Sequence, residues 1–455
     1  MNLFKVVNMV NNSLNKLKKS ILPANRIEVF LLIAIFIFFV SSVFFSLISR
    51  SEIRANQVNL FFSMHSEEKF GKEIIAELLR EFNEKNPDIT IRLISDAPAA
   101  LVNPDILIFD DSDFSVFVAA NVLAELIPFN SFGIDENNDL DNSLQLAVPL
   151  VSFIDLLFYN IDILSAAGFN HPPRTRDEFL AYTRAVSRVN KPGVSGTAMS
   201  LNPNDRQALS RDVFSWIWAA GGNLWPERNN PASLMQASLM QASPMLNTRA
   251  IIEDFSFFGT LYREGLLAPD VFETTGDQRI EEFAQGRVAM MIASSRVIPY
   301  LRERMGEETF GVTTIPHPGT SGRYNIKISS IYAGINSSVL QANDTSSLQA
   351  AKSFIEFLTE KSALFCAELN AVPGSIYNLI PDEYIRQDPL YSKIWDIFEI
   401  SQIIQGFSGN KNAMEYQTVF LEELQIFFDG ARTAQQTVAA IQRRWEEVAV
   451  DEESE

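Results

Sequence analysis

Between Val58 and Asp110 short apolar runs alternate with an amphipathic one. VNLFFSM and ITIRLIS read as strands flanking SEEKFGKEIIAELLREFNEKNP, in which Phe70, Ile74, Ile75, Leu78, Leu79 and Phe82 recur at helical spacing. Such a stripe is what a helix presents when it lies on a sheet, and Pro87 ends it. PDILIFD is then a short, fully apolar strand, and DFSVFVAANVLAEL a second helical pattern. Strand and helix in alternation predict an α/β lobe with a largely parallel sheet. The next run, AVPLVSFIDLLFYN, is too long and too apolar for a surface hairpin. As a strand passing from one lobe's sheet into the next it would be buried along most of its length, which predicts a hinge crossing.

Past this crossing, VFSWIWAAGGNLW places Trp216, Trp218 and Trp225 around Gly221 and Gly222, and AIIEDFSFFGTLYREGLL is an amphipathic helix stopped by Gly265. IEEFAQGRVAMMIAS runs from a helix through a glycine turn into a strand, which is expected to return to the first lobe. KISSIYAGI is followed by SLQAAKSFIEFLTEKSALFCAELNAV and a helical C-terminus with Trp395 and Trp445. The segment Pro231 to Met245 has a five-residue period, MQASL then MQASP; it reads as a surface insertion or as a Met-rich loop for docking a partner. The terminal DEESE reads as a solvated end.

At 455 residues the chain exceeds one ordinary core and favours two or three domains. Apolar residues at 47% with 20% charged describe an ordered globular protein. Charge is uneven: residues 1–50 hold six Lys/Arg against one acid, so the remainder carries −24 of a total of −19. So acidic a body excludes nucleic acid as a partner. Val29 to Ile48 is a run of twenty residues without a charge, the length that crosses a bilayer as a helix. With Lys5, Lys16, Lys18, Lys19 and Arg26 upstream, residues 1–28 are expected in the cytoplasm and the body, 57–455, on the outer face of the membrane, held by this anchor. A cleaved signal peptide is the alternative, but the run is longer than a usual signal core and SRSEIRANQ lacks a small-x-small cleavage site.

Catalytic and metal signatures are missing. There is no G-x-S-x-G, P-loop, H-E-x-x-H or EF-hand loop, and no G-x-G-x-x-G after a strand. His65, His171 and His317 stand far apart, and the single cysteine, Cys366, lies in an apolar helical run and reads as packing. No cofactor is expected.

Several segments, in order, carry a resemblance: FFSMHSEEKFGKEIIAELLREFNEKNPDITIRL, NPDILIFDD, VLAEL, VPLVSFIDLLFYNIDILSAAGFNHPPRTRDEF, AAGGNLW, FAQGRVAMMIASSR and AAKSFIEFLTEKSA. Together they resemble the extracellular solute-binding proteins of ABC importers, in the branch of maltose-type and other sugar binders, over about residues 57–448. The resemblance implies a periplasmic-binding-protein fold of type II. Two α/β lobes would be joined by a hinge, the first about 57–150 and 289–335, the second about 156–285 and 340–450, preceded by the N-terminal transmembrane helix. It also implies a monomeric, non-catalytic body that takes a small solute, a carbohydrate or similar polar molecule, to permease subunits in the membrane. A membrane-tethered sensing or docking module without transport is the alternative.

Ligands of open α/β sheets bind beyond the carboxyl ends of the strands. This rule selects Ser63, Met64, His65 and Ser66; Asp110, Asp111 and Ser112; and Ser294, Ser295 and Arg296. Ser329, Ser330 and Tyr332 in KISSIYAGI form a further candidate rim. Resemblance to the maltose-type proteins adds Phe109, Phe153, Asp155 and Tyr416, while Arg296 stands where relatives can carry Trp and suits an anionic or uronic group. Sugar binding also needs aromatic faces for C–H stacking. Trp216 and Trp218 could supply them, core packing beneath the Gly-Gly turn being the other reading.

Overall fold

The computed structural model describes residues 58–64, 72–94, 104–125, 146–189, 193–222, 224–225, 244–319, 324–341, 345–374, 380, 382–404 and 406–451. The folded body, Asn59–Asn86 with the chain from Ile91 onward, is one unit by its internal contacts. Its strands are, in chain order, β1 (Val58–Met64), β2 (Ile89–Ile94), β3 (Ile106–Asp110), β4 (Val148–Asn160), β5 (Ser195–Ala198), β6 (Val288–Ser294), β7 (Phe310–Thr313), β8 (Tyr324–Ile335), β9 (Val372–Pro373) and β10 (Ser401–Ile404).

Between β1 and β2 the helix Lys72–Lys85 buries Ile75, Leu78 and Phe82, which share one face at three- and four-residue spacing. Phe82 meets Phe354 of the long helix Thr345–Leu369, ring centroids 5.0 Å apart. The Asn83 amide ties the helix to β2, accepting from the Ile91 N–H at 2.9 Å and donating to its carbonyl at 3.2 Å.

The strand order is β2-β1-β3-β8-β4-β6-β5, with β10 beside β8 and both β7 and β9 beside β4. It is continuous because two strands serve two sheets. β4 pairs with β8 from Val148 to Ile154, then with β6 from Asp155 to Tyr159. β8 pairs with β10 through Tyr324–Lys327 and with β4 from Ile328 onward. Two α/β lobes result, and β4 is buried along nearly all of its thirteen residues because both faces are covered. At its end Asn160 caps the helix Ile161–Ala166, its side-chain oxygen accepting from the Ile163 N–H at 3.0 Å. The Tyr-Asn pair is therefore where the crossing strand turns into the second lobe.

Two expectations are corrected, and a third finds no support among the described residues. β6 does not return to the first lobe: it runs parallel to β5 and antiparallel to the distal half of β4, and β8 makes the return instead. The helix Thr345–Leu369 belongs to the first lobe, packing on β4, β8 and the helix Lys72–Lys85, because its Phe354 finds Phe62 and Phe82 there. Lastly, no described helix is long and apolar enough to cross a membrane. The anchor expected at residues 29–48, on which the membrane-tethered location rested, lies outside the described residues, as do residues 231–243 of the insertion.

The second lobe's core is aromatic. Trp216, Trp218, Trp225, Trp445, Phe214, Phe255 and Phe420 pack in one cluster beneath the helices Arg249–Arg263, Ala413–Phe428 and Ala434–Asp451.

Candidate functional site

The two crossing strands bring a polar cluster to their point of exchange. Ser152 of β4 and Ser330 of β8 share a hydrogen bond at 2.7 Å, and the Ile154 N–H donates to Ser295 Oγ at 3.3 Å. Asp155, 1% exposed, accepts a hydrogen bond from the Ser215 hydroxyl at 2.9 Å and lies 3.8 Å from Lys327 Nζ. Lys327 in turn donates to Ser329. A carboxylate buried at a strand centre requires such partners, since an unpaired buried charge is costly.

From the first lobe, Asp110 ends β3 and caps the helix Asp111–Ala119, accepting from the N–H groups of Ser112 at 3.0 Å and Asp113 at 3.3 Å. Its other oxygen accepts from Gln207 Nε2, a second-lobe side chain, at 3.1 Å. Asp111 Oδ1 accepts from the Ser330 N–H at 3.3 Å and from Ser408 Oγ at 3.0 Å, whereas Oδ2 is buried without a hydrogen-bond partner among the described residues. Burial raises the Asp111 pKa, with the Lys327 charge and these hydrogen bonds opposing it.

The second lobe's wall is an interrupted helix. Asp205 caps Arg206–Leu209, accepting from the Ala208 N–H at 3.0 Å; a turn of π-helix, Ser210–Phe214, follows, then Ser215–Ala219. Such π turns recur at functional sites because they rotate the side chains that follow. Arg206 donates to the Met414 carbonyl at 3.1 Å and Thr418 Oγ1 at 2.6 Å. Burial pulls the Arg211 pKa down, but Asp212, 2.8 Å away, with Asp155 and Asp205 outweighs it and leaves the pKa raised. Arg296 lies in the short turn Ser295–Val297 after β6. Burial lowers its pKa against the pull of Asp110, and its guanidinium has no hydrogen bond or ion pair among the described residues.

These groups enclose a cavity of about 580 Å³, within the range of small-molecule sites. The loop before the helix Ala413–Phe428 forms part of the wall. Gly406 (φ 63°) lies against Trp218, a Cβ there standing 2.8 Å from the ring, and Gly409 (φ 69°) lies against Phe114, so both positions demand glycine. The intervening Phe407 and Ser408 line the cavity.

Of the residues singled out in the sequence, Asp110, Asp111, Phe153, Asp155, Arg296, Ser329 and Ser330 line this one cavity, together with Ser112 and Ser294. Phe109 is instead packed against Tyr332 in the first lobe's core, centroids 5.9 Å apart. Trp216 is 2% exposed, edge-on to Phe179; Trp218 is stacked on Phe214; Tyr416 packs on Trp225 and Trp445. Ser63 and Met64 end β1 beside Leu107 and Ile108, and His65 lies outside the described residues. Sequence reading missed Arg206, Gln207, Arg211, Lys327, Lys411, Met414 and Gln417, all of which line the cavity. Lys327 was legible as a lone charge in the apolar KISSIYAGI. Met414 and Gln417, three apart on one helix, face the cavity while Tyr416 turns to the core. Among the described residues no group of three or more His, Cys, Asp or Glu could hold a metal ion.

A family model for bacterial extracellular solute-binding proteins matches residues 65–364, well over half of the chain. The chain belongs to this family. Its members are non-catalytic binding proteins, so this solute-binding protein is not an enzyme. A binding protein of Brucella abortus (strain 2308) is 21% identical over 216 residues, 47% of this chain and 46% of its own length. The chain thus matches about half the length of such curated relatives. Among solved structures, the cyclic alpha-maltosyl-1,6-maltose binding protein of Arthrobacter globiformis superposes with a TM-score of 0.67 at 16% identity, over 86% of this chain and 99% of that one. An ABC substrate-binding protein of Listeria monocytogenes in complex with cycloalternan gives 0.63 at 15% identity, over 86% and 99%. At such identities the likeness is one of fold.

Proposed function

We propose that this solute-binding protein is the extracytoplasmic receptor of an ABC importer. In this reading it takes a carbohydrate or similar polyhydroxylated solute into the cavity where β4 and β8 cross and delivers it to permease subunits in the membrane. One observation carries the reading: two buried acceptors on the cavity lining, Asp111 Oδ2 and Gln417 Oε1, have no donor among the described residues. Buried acceptors left unmatched cost free energy, and the hydroxyls of a polyol are donors that would satisfy both. Phe153 and Phe407 give the same cavity apolar faces suited to the C–H side of a sugar ring. The named ligands of the Arthrobacter and Listeria proteins, both oligosaccharides, support it.

The crossing strands would act as the hinge. A ligand closes two lobes only by binding the closed form better, and Gln207 to Asp110 and Ser408 to Asp111 are contacts available to that form. The test is a thermal-shift screen of the full chain against mono- and oligosaccharides, polyols and amino acids. A ligand at about 100 times its Kd adds roughly 2.7 kcal/mol, a shift of a few degrees. The shift should vanish in Gln417→Leu. Absence of any shift with every carbohydrate contradicts the reading.

A further inference from the structure

We infer that the saccharide carries an anionic group and that Arg296 receives it; this rests on the carbohydrate reading and narrows it. The cavity is locally basic in an acidic protein: among the described residues five Lys and Arg side chains line it against three Asp, while the whole chain carries −19. Each of the three acids already has partners, and Asp111 keeps only Oδ2 for a ligand hydroxyl. Asp155 lies beside Lys327 and accepts from Ser215, Asp110 caps its helix, and Asp111 accepts from Ser330 and Ser408. Among the cations, Arg211 pairs with Asp212, outside the lining. Arg206 is held only by neutral oxygens of Met414 and Thr418, and Arg296 by nothing among the described residues.

A guanidinium drawn out of water with acids near it but none in direct contact is poorly satisfied, and a carboxylate or phosphate oxygen pair is its best geometric partner. The aromatic supply points the same way. Among the described residues Phe153 and Phe407 are the aromatics of the lining, and the tryptophans Trp216, Trp218, Trp225 and Trp445 are spent on the second lobe's core. Recognition of a neutral sugar by broad indole stacking is therefore not what this cavity is built for.

Calorimetric titration of the full chain with matched pairs tests the inference: galactose with galacturonate, glucose with glucuronate, their disaccharides, and glucose 6-phosphate as a second source of anionic charge. The acidic member should bind at least about tenfold more tightly than its neutral twin, with the preference shrinking as salt is added. Arg296→Gln should erase the preference without changing the thermal midpoint of the unliganded protein, and Arg296→Lys should retain part of it. A uronate preference without a phosphate preference assigns a carboxylate, and the reverse a phosphoryl group. Neutral sugars binding as tightly as acidic ones would overturn this inference and leave the carbohydrate reading standing. Binding of no saccharide, neutral or acidic, would overturn both.

Discussion

The second lobe's core and the cavity beside it use the same stretch of chain in opposite ways. Within residues 206–219, Trp216 and Trp218 turn into the aromatic cluster while Arg206, Gln207, Ser210 and Arg211 turn to the cavity. Each region also holds a buried acid beside a cation. In the core, Arg176 pairs with Asp254, donates to the Trp216 carbonyl at 2.8 Å and lies over Phe257. At the cavity, Asp155 and Lys327 stand 3.8 Å apart with Ser215 and Ser329 as further partners. Under the proposed function the enclosed pair serves stability and the cavity pair recognition. Aromatic content, then, does not locate this cavity, whereas polar groups collected at strand exchange points do.

The comparison breaks first on stability. Trp216→Ala should destabilise by ~3–5 kcal/mol in urea unfolding, through lost transfer energy and the void left behind. An equal loss from truncating Arg296 would erase the distinction between core and cavity.

The core acid offers a pH signature. Burial raises the Asp254 pKa to about 7, with Arg176 opposing. Since the folded value lies above the ordinary 3.8, the folded state holds this proton more tightly. The stabilisation is complete below the ordinary value and is lost as the pH rises through about 7. Asp254→Asn should flatten that fall, which runs from about pH 4 to about pH 7, measured as urea midpoints.

Asp155→Asn addresses the cavity. It should weaken ligand binding by about 2 kcal/mol, roughly thirtyfold, with a smaller loss of stability. Smallest is Gln207→Ala, which removes hydrogen bonds to Asp110 and Ser112 across the lobes. About 1 kcal/mol, some fivefold in affinity, should be lost with the unfolding midpoint unchanged.

Much of this fold was legible because long apolar runs have one physical use. AVPLVSFIDLLFYN could only be a strand covered on both faces, and the stripe on the helix Lys72–Lys85 had to lie on a sheet. What was not legible is which strand returns. VAMMIAS and KISSIYAGI both read as largely apolar strands, and only pairing partners separate β6, beside β5, from β8, beside β3 and β4. For the site, position after a strand located Asp110, Asp111 and Arg296, because that rule depends on topology. It failed for Gln417 and Met414, which reach the cavity from a helix distant in sequence. Trp216 and Tyr416 show the limit of residue type: an indole or phenol is equally suited to stacking on a sugar and to filling a core, and burial decides.

The central claim, that recognition resides at the strand crossing and not in the aromatic cluster, is tested most directly by one paired titration. The tightest-binding saccharide is titrated calorimetrically into full-length Asp155→Asn and Trp216→Phe. Affinity should fall by about 2 kcal/mol in the first and stay within about 0.5 kcal/mol of the parent in the second. An unchanged Asp155→Asn beside a Trp216→Phe that no longer binds would contradict the account.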